Sequence, residues 1–156
     1  MVTDMSDKAK VWSALVGRMM QHLMPRSAVD GEKLACVWAA RVREVLPEHE
    51  FNVTVEGEVI RIKGIGSREG AGLVSRPTVA LLLPLSVSRR LKIFCENASG
   101  SLQEFVTAAR GEAWPAPDAQ RHFSVGSDMV RVWWTGAGQD EIIVQMTPIS
   151  RMEIGV

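Results

Sequence analysis

Few side chains in this chain could carry acid–base, nucleophilic or metal chemistry. They are His22, His49 and His122, the thiols of Cys36 and Cys95, and the carboxylate pairs Glu48/Glu50 and Asp140/Glu141. A catalytic or ligating histidine needs a neighbour that fixes its tautomer and its aim. None of the three has a partner at ligand spacing: His22 lies near the end of a helical pattern, His49 in an acidic segment and His122 at the start of a strand pattern. The cysteines belong to no CxxC or mixed Cys/His motif, so zinc spacing is missing. Both fall on apolar faces of helical patterns, where a free thiol acts as a small hydrophobe, and a disulfide joining them is the alternative. The carboxylate pairs fall in polar segments, where ordinary pKa values are expected.

A nucleophilic serine wants a sharp GxSxG turn. Gly64-Ile65-Gly66-Ser67-Arg68 places its serine directly after the second glycine, and Gly126-Ser127-Asp128 is a plain turn. The loop from Gly64 to Gly72, GIGSREGAG, offers backbone amides of the kind that cradle phosphate. It satisfies neither GxxxxGK[ST] nor GxGxxG, and no lysine follows at the required place. No catalytic set, no cofactor motif and no metal motif emerges, and the expectation is a non-enzymatic protein without a cofactor.

Charge points to a different kind of chemistry. The chain is neutral overall, which gives no general reason to bind nucleic acid or membrane. Yet Arg61, Lys63, Arg68, Arg76, Arg89, Arg90 and Lys92 follow one another with only Glu69 as an acid between them, whereas acids dominate from Asp30 to Glu58. Gathered by the fold, these bases would form an anion-attracting patch. A nucleic-acid surface would also interleave aromatics with its bases, and the chain has no tyrosine.

The elements that position these groups are legible from hydrophobic period. A first helix is expected from about Asp7 to Met24, with Trp12, Leu15, Val16, Met19, Met20 and Leu23 on one face, stopped at Pro25. A second helix starts at an Asp30 N-cap, stacks Leu34, Trp38, Val42 and Val45, and closes before Pro47. The period then drops to two: Phe51, Val53 and Val55, a turn at Glu56-Gly57, then Ile60 and Ile62, a hairpin with one wet face. Residues 64–77 read as loop, and the apolar run from Thr78 to Leu83 reads as a central strand. The strongest pattern is a long third helix in which Leu91, Phe94, Cys95, Ala98, Leu102, Phe105, Val106 and Ala109 keep a single stripe. The stripe stays in phase across Gly100, so one unbroken helix is expected despite a glycine penalty of about 1 kcal/mol. Residues 112–120 cross the surface. Strands follow at about 121–125, 129–134 and 141–146, and no period is visible from Ile149 onward.

Together these predict an α+β fold: a mostly antiparallel sheet of 5–6 strands with a long helix across one face and an N-terminal helix pair. A single domain over 1–156 is expected, with the helix pair at 7–46 and the sheet plus long helix at 51–147. The N-terminus lacks the apolar core of a signal peptide and no apolar run approaches a membrane span. These features suggest a soluble, cytoplasmic protein of bacterial style with no membrane partner.

Trp133 and Trp134 sharpen the functional expectation. Neighbours on a strand point to opposite faces, so at most one shares a side with the long helix. The other needs cover from the N-terminal helices, a partner subunit or a ligand. With Trp12, Met19 and Met20 as an adaptable apolar surface, the leading expectation is a protein-interaction module, a homodimer or a binder of another protein through its Trp/Met surfaces. The alternative is an anion-, nucleotide- or nucleic-acid-binding protein using the Arg61–Lys92 bases and the Gly64–Gly72 loop.

Overall fold

The structure, a computed structural model, describes residues 10–16, 29–65, 72–76, 81–138 and 140–156. It is α+β, with two antiparallel sheets rather than the single sheet expected. Helix α1 (Gly31–Val45) begins where the Asp30 carboxylate accepts the amides of Glu32 and Lys33, each at 3.1 Å. That side chain satisfies two of the donors a helix start leaves open. The helix buries Leu34, Ala35, Trp38, Ala39 and Val42. Cys36 is exposed, not apolar-facing as expected: at about 100° per residue it sits well off the arc those five residues define. It forms no disulfide with the buried Cys95.

The first sheet has the order β1-β2-β3. Strands β1 (Phe51–Glu56) and β2 (Val59–Gly64) form the expected hairpin, turning at Gly57-Glu58, where Gly57 takes a left-handed φ of 60°. Val53, Ile60 and Ile62 point inward and Arg61 and Lys63 outward. Strand β3 (Gly72–Ser75) corrects the reading of 64–77 as loop throughout: it pairs with β2 from Gly72↔Lys63 to Ser75↔Ile60. The central strand expected at Thr78–Leu83 is also corrected where it is described. Leu81 and Leu82 form a 3-10 turn, and Leu82 is 79% exposed. A uniform apolar run has no period to separate strand from turn.

Helix α2 (Val87–Arg110) is unbroken, capped by Ser86 at its start and by Gly111, with φ 68°, at its end. Gly100 is buried inside it, and a Cβ there would lie 3.1–3.3 Å from the guanidinium of Arg121. The missing side chain leaves room for the end of the Arg121 side chain, which reaches across from the next strand. Strands β4 (Gln120–Val125) and β5 (Met129–Thr135) pair along their whole length, and β6 (Ile142–Gln145) and β7 (Ile149–Ser150) share the other side of β5. Beyond β7, residues Arg151–Ile154 form a 3-10 helix with a Ser150/Glu153 capping box. The segment before β4 crosses the surface as expected, except that Trp114 is buried against Trp134 with ring centroids 5.3 Å apart.

Helix α1 packs on β1, β2 and the terminal 3-10 helix, while α2 packs on β4 and touches β3. Buried residues of both helices and both sheets form one hydrophobic cluster, locked edge-to-face by Trp38 and Phe94 at 5.1 Å. No helix among the described residues is long and apolar enough to cross a membrane.

Candidate functional site

Pairing in the second sheet gives each tryptophan its address. Arg121 faces Trp134 and His122 faces Trp133 across β4 and β5. Trp134 points inward, is fully buried, and donates its indole N–H to Gln103 Oε1 at 3.3 Å. Trp133 points to the opposite, outer face and is only half-buried. The His122 ring lies nearly parallel to it, with centroids 5.5 Å apart and planes 16° apart. His122 Nε2 and Thr135 Oγ1 share a hydrogen bond at 2.8 Å, which fixes the imidazole against the indole. Met129 shares the outer side, and Ile142 pairs with Thr135 next to a bulge; both are exposed. Helices α1 and α2 make their main sheet contacts on β1, β2, β3 and β4.

The other contact candidates divide. Trp12 lies in a helical stretch, residues 10–16, whose every residue is exposed, Trp12 itself at 67%. Met19 and Met20 lie outside the described residues, as do Arg68 and His22 and most of the Gly64–Gly72 loop.

The basic positions are brought together only in part. Arg61 and Lys63 share the outer face of the first sheet, opposite Thr54 and Asn52, and the exposed Arg76 follows β3 in register with that face. Arg89 and Lys92 are exposed on α2, but Arg90 is buried, so it adds nothing to a surface patch. The tract is therefore at least two separate features.

Acid–base groups gather at one place. A cleft of about 490 Å³ is lined by His49, Glu50, Phe51, Gly64, Ile65, Ala109, Arg110 and Glu112. Its carboxylates share one cation: Arg110 sits 3.6 Å from Glu50 and 2.9 Å from Glu112. Every lining residue but Phe51 and Gly64 is exposed, so the cleft gives its carboxylates no dry environment. The exposed Asp140/Glu141 pair has none either. No group of three metal-ligating side chains occurs among the described residues. Burial pushes the Cys95 thiol up to about 12, which makes it a poor nucleophile.

Compared with protein-family models, curated proteins and solved structures, the chain has no match in any of the three. Its function rests on its own geometry.

Sequence reasoning missed the His122–Trp133 stack. The signal was there in principle: a tight turn near Gly126-Ser127-Asp128 makes residues 122 and 133 partners. What period alone could not give was the register of that hairpin.

Proposed function

We propose that this chain is a non-enzymatic protein-interaction module, one domain over 1–156 acting in the cytoplasm, that works through contact made by its Trp/Met surfaces. One observation carries the reading: a half-buried tryptophan, held rigid by a stacked histidine, stands on the outer sheet face with exposed Met129 and Ile142 on neighbouring positions. Tryptophan is a frequent anchor of protein interfaces, and a pre-set rotamer lowers the entropy lost on docking. The exposed Trp12 supplies a second apolar contact. A second copy of the chain is the partner to test first. Size-exclusion chromatography with light scattering should give twice the 17.2 kDa of one chain, and Trp133→Glu should return it to one. A strict monomer at high concentration, with Trp133 shielded from a fluorescence quencher, overturns the reading.

A second reading, anion or nucleic-acid binding, is favoured by the co-facial Arg61, Lys63 and Arg76 on the first sheet. It predicts oligonucleotide binding that weakens steeply with salt and is lost in an Arg61→Gln, Lys63→Gln double variant.

A further inference from the structure

Residues 10–16 are helical. Trp12, Leu15 and Val16, spaced three and four apart, therefore share one face of that helix. At about 100° per residue, Lys10 and Ala14 fall on the opposite side. A stripe of this kind marks a helix that packs on something. Yet Trp12 is 67% exposed, and Leu15 and Val16 are each 51% exposed, so nothing among the described residues covers the stripe.

The second sheet carries the matching need. On its outer face Trp133 is only half-buried, and Met129 and Ile142, on neighbouring positions, are exposed. The indole is already set by the stacked His122, whose Nε2 is held by Thr135 Oγ1. An apolar helix stripe laid on a sheet face buries area of both.

The path of the chain brings the two within reach. The described body resumes at Val29, and Asp30 donates its amide to the Ile154 carbonyl at 3.0 Å. Ile154 ends the 3-10 helix that follows β7, and β7 pairs Ser150 with Met129. The N-terminal segment thus leaves the body beside the Met129 end of β5. Trp133 lies about 13 Å further along that strand. Residues 17–28 can span up to about 40 Å, enough for the helix to lie across an outer sheet face presented to it. The chain's own face is within that reach too, but in the single chain the stripe is exposed. A second copy brings both halves of the contact and satisfies both molecules at once.

We propose that two copies exchange these segments, the 10–16 helix of each lying across the outer face of the other's second sheet, with Trp12, Leu15 and Val16 over the Trp133 region. Each contact is helix against sheet, and reciprocity closes the pair about a two-fold axis with two identical contacts. This exchange rests on the reading of the Trp133 face as a contact surface, and it names the occupant.

The test is complementation between two full-length variants, Trp12→Glu and Trp133→Glu, followed by light scattering. Wild type should run as a dimer of twice 17.2 kDa. Each substitution should weaken dimerisation by roughly 30-fold or more, the mark of an interface anchor, and leave a monomer. Mixed in equal amounts at raised concentration, the two should form a dimer again, because the intact face of the Trp12→Glu chain receives the intact helix of the Trp133→Glu chain. Trp12 lies outside the core cluster, so its replacement cannot act by unfolding. Ile142→Glu, at an exposed position, repeats the sheet side of the test should Trp133→Glu fail to fold. A Trp12→Glu chain that stays dimeric overturns this contact and leaves the Trp133 reading standing. Two monomeric variants that give no dimer when mixed also overturn it, since helix would then meet helix, or face meet face. A dimeric Trp133→Glu chain, or a monomeric wild type, removes both.

Discussion

The two sheets follow the same alternation and differ in what they leave outside. In the first, Val53, Ile60 and Ile62 enter the core while Asn52, Thr54, Arg61 and Lys63 stay wet. In the second, Val130, Val132 and Trp134 enter, and the outward positions include Met129, Trp133 and His122. The inner halves solve the same packing problem. The outer half of the first needs no explanation beyond solubility. The outer half of the second holds aromatic area that solubility does not account for. Alternation thus tells which side chains a sheet buries, and the rejected half tells what the sheet is free to do.

The sharpest way to break this contrast is to truncate both tryptophans. Trp134→Ala removes a fully buried ring packed on Trp114 and should cost about 3–5 kcal/mol in denaturant unfolding. Trp133→Ala, next to it in the chain, should cost about 1 kcal/mol or less. Equal losses would mean that the outer face is as closed as the inner one.

A pH series tests the shared core between the sheets. The unfolded thiol of Cys95 ionises near 9.0, whereas burial holds the folded one at about 12. Its raised folded pKa leaves stability intact below pH 9 and erodes it from pH 9 toward 12, by about 1.4 kcal/mol per unit. Unfolding of wild type and Cys95→Ala at pH 8, 10 and 11, each on its own baseline, checks this: only wild type should carry the Cys95 part of the alkaline slope. A thiol reagent should label one cysteine in the native protein, the exposed Cys36, and two after denaturation.

Smaller effects are expected where α2 meets β4. Gly100→Ala should stabilise by roughly 0.5 kcal/mol, since the helix gains up to about 1 kcal/mol of propensity while the flexible end of Arg121 gives way. Gly100→Leu should destabilise, because the strand itself would have to move. Smallest of all, Arg61→Gln and Lys63→Gln should each change stability by less than about 0.5 kcal/mol, with any effect confined to salt-sensitive binding.

The residues explain what could be read in advance. The α2 stripe held its phase through Gly100 because only packing on one face demands it, and the helix is continuous. The Asp30 cap and the 51–64 hairpin were equally local. The division into two sheets was not, since each sheet pairs strands that are near neighbours in sequence and no period tells whether β3 and β4 also pair across α2. Strand β3 was hidden by its glycine-rich approach, and β7 is two residues long, cut from β6 at Thr147-Pro148. At the candidate site, the opposite aims of Trp133 and Trp134 follow from strand geometry, but which one met the helix did not. Arg90 read as a surface base and is buried, because the side of a helix that an isolated arginine takes shows only in three dimensions.

One small contact sets a limit on how this molecule can fail. Strand β1 is the border of its sheet, and the carbonyl of Val53 on that border receives Nη2 of Arg43 from α1 at 2.8 Å. A stray extended chain arriving there finds a rung of the ladder already occupied by a bulky cation. This arginine in the last turn of α1 thereby discourages endless strand-by-strand growth into fibres, and its removal would expose a template without opening the core.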